Sequence, residues 1–267
     1  VIRVVTGDVT LNDGLANDNN VTVSANGTGN VLVEALNGSL TSNEDILSGT
    51  GHISVLAKNS ISFTAGADII TGLTGTIELV ATTGSIVLSP TSNLTTGSGH
   101  IRLSAIATSQ DVTLGGVITT TGNVSVLAGR NILDGDGEDT TVDVVASGLW
   151  LQAGNGVGVL GASVNPVETT ITTLTARAGA GGVSLRETDT LIIDDVSVTV
   201  QQGTASAGIT PVTDANQSDV TTTNNGSVVI RVVTGDVTLN DGLANDNNVT
   251  VSANGTGNVL VEALNGS

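Results

Sequence analysis

Short runs of alternating apolar and polar residues recur along the chain, one set about every 25 residues. In most sets three apolar positions two residues apart end on alanine, as in Val31, Val33 and Ala35. A second alternating run often follows, and clusters of glycine, asparagine and threonine separate the sets. The alternation has the period of a β-strand with one buried face. The sets begin near residues 30, 52, 76, 100, 123, 148, 173, 195 and 227.

This pattern predicts an all-β chain folded as a right-handed parallel β-helix, in which each set forms one coil. A single coil cannot bury its apolar side, but a stack of coils buries a continuous column. The handedness follows from the crossover rule for parallel strands. Alanine suits a narrow corner, and glycines such as Gly38 and Gly84 suit the bends. An array of β-sandwiches is the alternative, and it is disfavoured because sandwiches rarely keep one spacing frame over so many segments.

The chain also contains a long exact repeat. Val1–Ser39 returns unchanged as Val229–Ser267, at an offset of 228 residues. We therefore expect residues 1–228 to be one complete tandem repeat and 229–267 to begin the next within the same solenoid. Nine coils fill the 228 residues, so the repeat is expected to hold a whole number of coils. At about 4.8 Å between strands, nine coils would advance by roughly 43 Å.

The composition excludes several classes of partner. The chain carries 25 acidic and 7 basic residues, for a net charge of −18, which argues against binding to nucleic acid or to an anionic membrane surface. No run of about 18 apolar residues is present, so no membrane insertion is expected. The chain has no cysteine, and Phe63 and Trp150 are its only aromatic residues apart from histidine. A core with so few aromatic side chains must be narrow and regular.

The pattern G-N-V-x-V-x-A-x-x-G-x-I resembles the repeats of filamentous-haemagglutinin-like large exoproteins of bacteria. It is carried by Asn30–Leu40, Thr76–Leu88 and Asn123–Ile132, among other coils. The resemblance implies a long secreted β-helix that acts as an adhesin or surface fibre, located outside the cell or on its surface.

One acidic loop is a candidate calcium site. Asp134, Asp136, Glu138 and Asp139 lie in a run with two glycines, and carboxylate oxygens are the ligands that Ca²⁺ prefers. The spacing does not fit an EF-hand, because Asp139 stands where that loop needs glycine. A solvated loop without metal is the alternative. No cofactor is otherwise expected.

Trp150 is the candidate contact residue. It lies between Leu149 and Leu151, whose side chains point inward, so alternation directs the indole outward. An exposed tryptophan in each repeat could contact a neighbouring fibre or a sugar. The alternative is a tryptophan covered by its own loop.

The sequence predicts a structural function and no enzymatic activity. The nearest approach to a catalytic group is Asp194 and Asp195 with Arg186 and Glu187, and adjacent strand residues point to opposite faces. We expect the shaft of an extracellular bacterial fibre or giant adhesin that self-associates along or between fibres. A module that binds a surface glycan or a receptor on a host or neighbouring cell is the alternative.

Overall fold

The computed structural model describes residues 1–14, 20–137, 141–243 and 248–266. Within these ranges the chain forms strands and no helix. Accordingly, nothing in the described part of the chain is a helix of the length and hydrophobicity needed to span a membrane. One hydrogen-bonded sheet contains 27 strands, and a separate sheet contains two. The prediction of an all-β chain is confirmed.

The strands of the first half are short, two to six residues in length. They are β1 (Ile2–Val4), β2 (Val9–Leu11), β3 (Val21–Ala25), β4 (Val31–Ala35), β5 (Leu40–Ser42), β6 (Asp45–Ser48), β7 (Ile53–Ala57), β8 (Ile61–Phe63), β9 (Ile69–Ile70), β10 (Ile77–Ala81), β11 (Ile86–Leu88), β12 (Leu94–Thr95), β13 (Ile101–Ala105), β14 (Val112–Leu114), β15 (Ile118–Thr119), β16 (Asn123–Ala128) and β17 (Asn131–Asp134).

The second half contains longer strands, some of which pass through a corner without interruption. They are β18 (Val144–Ala153), β19 (Gly156–Val157), β20 (Val167–Ala178), β21 (Gly182–Glu187), β22 (Leu191–Ile193), β23 (Val196–Gly203), β24 (Ile209–Gln217), β25 (Val220–Thr222), β26 (Val228–Val232), β27 (Val237–Leu239), β28 (Val251–Ser252) and β29 (Val259–Ala263).

Parallel pairing stacks each turn on the next, and three columns of paired residues define three faces. Face 1 is the column Ile2, Val33, Val55, Leu79, Leu103, Val126, Leu151, Ala176, Val220 and Val251. Face 2 is the column Val9, Leu40, Ile61, Ile86, Val112, Ile132, Val157, Val183, Val228 and Val259. Face 3 is the column Val23, Ile46, Ile69, Leu94, Ile118, Val144, Thr169, Glu187, Val232 and Ala263. This is the predicted parallel β-helix.

The interior is a narrow aliphatic column. Most inward residues of the three faces form one buried cluster of Val, Leu, Ile and Ala, in which Phe63 is the only aromatic side chain. Thr169 and Glu187 are buried polar exceptions in face 3. The predicted alanine positions stack on one another at the end of face 1, as Ala35 on Ala57 and Ala57 on Ala81. Each fully buried Val, Leu or Ile stabilises the fold by about 1.5–3 kcal/mol.

A second corner, between face 3 and face 1, is built from glycines and hydroxyl groups. The hydroxyl of Thr96 donates a hydrogen bond to the carbonyl oxygen of Gly75 in the preceding turn, at 2.6 Å. The glycines of successive turns pack so closely that a Cβ on Gly99 would overlap the backbone of Gly75. The same hydrogen bond recurs in neighbouring turns, as Ser48 to Gly29, Thr71 to Gly51 and Thr120 to Gly99.

The coil predicted to begin near residue 195 is not a coil. There β23 and β24 form an antiparallel hairpin, Val196–Gln217, which lies on the outside of face 1 and is called the axial hairpin below. Its inner residues Val196, Val198 and Val200 alternate like core residues because they are buried against the outer surface of the helix. The turn itself continues from β22 to β25 on face 1.

The repeat therefore does not contain a whole number of turns. Eight turns along face 1 lead from Ile2 to Val220. Ile230, the counterpart of Ile2 in the second copy, does not lie on face 1, because it follows Val228 of face 2 in the same strand. Likewise Val31 lies on face 1, while its counterpart Val259 lies on face 2. The second copy continues the same sheet, but it is displaced by one to two faces around the axis. At about 4.8 Å per turn, one repeat advances by roughly 40 Å.

The close glycine stacking gives the first prediction. Replacing Gly99 by alanine places a methyl group against the backbone of the preceding turn, and overpacking of this kind costs about 1–3 kcal/mol. We expect Gly99→Ala to lower the midpoint of thermal unfolding, measured by circular dichroism. Gly14→Ala is the control, because a Cβ at Gly14 would meet no atom of the described residues within 4 Å. Equal midpoints for the two variants would contradict the close packing at this corner.

Candidate functional site

Three buried carboxylates from two successive turns converge at the corner between face 2 and face 3. Asp134 ends β17, Asp143 directly precedes β18, and Glu168 lies near the start of β20. Each offers an oxygen atom within 4.8 Å of the others, and all three residues are buried. The strand stacking explains the approach of Asp143 to Glu168, since the amide of each hydrogen-bonds to an oxygen of the other at 2.9 Å.

Asp134 has an oxygen without a hydrogen-bond partner. Its Oδ1 accepts a hydrogen bond from the amide of Asp136 at 3.0 Å, whereas Oδ2 is buried and accepts none. The side-chain oxygen of Asn165, in the loop that faces Asp134, is also buried without a partner. Buried oxygens without partners cost free energy unless water, a proton or a cation satisfies them.

The electrostatics of the cluster favour an added positive charge. Burial raises the pKa of Asp143 to about 9, although the amide of Glu168 opposes the rise. The negative charges of Asp134, Glu168 and Asp136 raise this pKa further. A carboxyl group with such a pKa holds a proton at neutral pH, and a bound cation could replace that proton.

Only part of the predicted calcium set belongs to this cluster. Asp134 is a member, and Asp136 lies close enough for its charge to affect Asp143. Glu138 and Asp139 lie outside the described residues. The sequence run did not indicate Asp143, which follows the run by four residues, or Glu168, which belongs to the next coil. The repeat pattern does contain a signal for this pair. Asp143 and Glu168 directly precede Val144 and Thr169, which pair with each other on face 3.

Trp150 points outward from face 1 as predicted, but it is not exposed. Only 6% of its surface is accessible, because Val196, Val198 and Val200 of the axial hairpin cover it together with Leu127. Its indole nitrogen donates a hydrogen bond to the carbonyl oxygen of Ala215 at 3.2 Å. The prediction of an exposed contact residue is therefore wrong. The tryptophan is covered, as in the alternative, but the cover is a segment about 50 residues later in the chain and not its own loop.

The axial hairpin is fastened to successive turns along the helix. The Asn123 side chain donates to the carbonyl oxygen of Ser197 at 3.0 Å. Nearer the hairpin tip, the amide of Gly203 donates to the hydroxyl of Ser54 at 2.8 Å. Because residues 54 and 123 belong to turns three levels apart, the hairpin runs along the axis and not around it.

A buried ion-pair network holds the middle of the hairpin. Arg102 donates to Asp214 of the hairpin at 3.0 Å and to Glu78 of the preceding turn at 3.2 Å. Gln202 of the hairpin donates to the other oxygen of Glu78 at 2.8 Å. Burial raises the pKa of Glu78, and the hydrogen bonds and charge of these partners oppose that rise. Removing one member of such a network leaves a buried charge unpaired, which typically costs about 3–5 kcal/mol.

Comparisons with known proteins give no match. No protein-family model matches the chain, and neither a curated protein nor a solved structure is significantly similar to it.

The buried tryptophan provides a direct readout of the hairpin. Val198→Asp places a charge in the apolar contact with Trp150, so we expect the hairpin to detach and the tryptophan emission to shift to longer wavelength. The far-ultraviolet circular dichroism of the β-helix should change little. Thr199→Asp is the matched control, because Thr199 is on the outer side of the same strand and pairs with Thr213. A red shift in both variants, or in neither, would contradict the described cover.

The carboxylate cluster predicts a response to calcium. We expect millimolar Ca²⁺ to raise the midpoint of thermal unfolding, and a chelator to reverse the rise, because the ion would satisfy the buried oxygens of the cluster. Glu168→Gln and Asp134→Asn should lose this shift. Asp189→Asn should keep it, since Asp189 is an exposed carboxylate in a turn. An equal response in all four proteins would rule out binding at the cluster.

Proposed function

We propose that this chain is part of the shaft of an extracellular bacterial fibre or giant adhesin, built from tandem β-helical repeats. The observation that supports it most is the sheet at the repeat boundary. Val183 of the first repeat pairs in parallel with Val228, which pairs with Val259 of the second copy. The hydrogen-bonded column thus crosses from one repeat to the next without a linker. A chain with more copies would extend as one rod.

The chemistry of the surface suits a shaft in solution. The net charge of −18 keeps such rods apart and soluble, and it disfavours pairing between exposed strand edges. Ion pairs such as Arg3 with Glu34 and Arg231 with Glu262 join adjacent turns at equivalent positions of the two copies. The same interaction is therefore available at every repeat boundary.

The proposed location rests on the sequence resemblance. The G-N-V-x-V-x-A frame supports a secreted protein at the bacterial surface. Its first proposed partner is a further copy of the repeat along the same fibre. Binding of a glycan or receptor is less well supported, because Trp150, the one aromatic residue suited to a sugar, is covered by the axial hairpin. We propose no enzymatic activity.

The rod can be tested with proteins of one, two and three complete repeats. We expect each added repeat to lengthen the particle by about 40 Å at constant diameter, because the turns continue at a strand spacing of about 4.8 Å. Small-angle scattering and negative-stain electron microscopy measure both quantities. A two-repeat protein made with a flexible linker at the boundary is the control, and it should bend there. Compact particles or beads at variable angles in the unlinked protein would refute the shaft.

A further inference from the structure

An apolar groove lies where the first repeat meets the second copy. It has a volume of about 540 Å³. One wall is the loop of residues 158–166, through Leu160, Val164 and Pro166. The opposite side is the outer surface of β26 and β29, through Val229 and Leu260. Two hydrogen bonds between Val159 and the loop residue Asn165 fix the base of the loop.

Part of the same surface of the first repeat is already covered. Val229 and Leu260 are the counterparts of Val1 and Leu32 at the offset of 228 residues. In the first repeat, Leu32 is only 2% exposed and lies under Gly203, whereas Leu260 is 40% exposed with neither a further turn nor a hairpin above it. In the proposed tandem shaft, the identical sequence predicts the same cover for Leu260 as for Leu32.

The hairpin tip extends towards the preceding repeat. Gly203, Thr204, Ala207 and Gly208 line one small cavity together with Val1 and Leu32, at the very start of the first repeat. Beyond Val1 a preceding repeat would contribute the counterpart of Ser184, because Ser184 pairs with Val229. Ser184 itself lines the groove beside the loop of residues 158–166. The tip is thus placed to reach across a repeat boundary.

We propose that this groove receives the tip of the axial hairpin of the following repeat, the counterpart of Thr204–Ile209, and that the tip clasps the two repeats together. The inference rests on the proposed tandem shaft. The side of the groove formed by β26 and β29 belongs to the repeat that carries the hairpin. The side formed by the loop of residues 158–166 belongs to the repeat before it. Each hairpin therefore spans its own repeat and grips its predecessor.

The two surfaces match in chemistry. Ile209 at the tip is 44% exposed, and Val164 on the groove wall is 38% exposed. Both are large apolar residues that remain partly exposed here. The chain contains one complete hairpin and one boundary between repeats, so neither residue has the partner that the clasp would give it. A preceding repeat would give Ile209 an apolar wall, and a following hairpin would cover Val164. Gly203 and Gly208 at the tip have no side chain, so the tip can approach the outer surface of β26 and β29 closely.

The natural absence of cysteine permits a sharp test in a protein of two complete repeats. Val164→Cys in the first repeat is combined with the counterpart of Ile209→Cys in the second repeat. We expect a short bis-maleimide to join them within one molecule at high dilution. The matched control exchanges the two repeats, with Ile209→Cys in the first and Val164→Cys in the second, and it should not cross-link. Equal yields in the two arrangements, or none in either, would overturn the clasp.

A second measurement covers the chance that the cysteines disturb the contact. With one cysteine in place of the counterpart of Ser206 in the second repeat, Val164→Asp in the first repeat should speed thiol labelling by about tenfold, the factor for roughly 1.4 kcal/mol of lost contact. Val164→Asp in the second repeat should not change the rate. Equal rates would refute the clasp. Particle length by electron microscopy distinguishes failure of the clasp from failure of the shaft. If the particle is a continuous rod but the position of Val164→Asp does not affect the labelling rate, only the clasp is refuted.

Discussion

The rest of the structure depends on the parallel stacking of each turn on the next at equivalent positions. Because every inward residue lies on its counterpart, the cross-section must stay nearly constant, and a bulky side chain in one turn would disturb its neighbours. This explains an interior of Val, Leu, Ile and Ala with a single phenylalanine. It also explains why acidic residues at the same position of successive turns are costly, since stacking brings their like charges together. The cluster of Asp134, Asp143 and Glu168 is one place where the chain accepts that cost.

The sequence predicts the strands well because alternation reports which residues are buried. It does not report which surface buries them. Val198 has the same period as an inward residue, yet it packs on the outer face against Trp150. This single ambiguity accounts for the extra coil, the incorrect whole number of turns and the incorrect exposure of Trp150. The carboxylate cluster was only partly predicted for a related reason: its members are close in space, but Glu168 comes from the coil after the one that holds Asp134 and Asp143.

The axial hairpin changes the mechanics of the stack. In a β-helix the hydrogen bonds between turns point along the axis, so tension on the rod pulls neighbouring turns directly apart. The hairpin adds two covalent strands parallel to that tension. Its contacts with Ser54, Arg102 and Asn123 tie several turns to one continuous segment. Separation of any one pair of turns then requires the hairpin to slide or detach as well.

The displacement between the two copies sets how the rod presents itself to its surroundings. Leu32, which lies under the first hairpin, belongs to face 1, whereas its counterpart Leu260 is on the strand that begins on face 2. Successive hairpins would therefore lie at different angles around the axis of the shaft. A flat neighbour touching one side would meet a hairpin only once in several repeats. Such a rod has no preferred side, and that geometry resists the side-by-side ribbon packing by which straight β-structures aggregate.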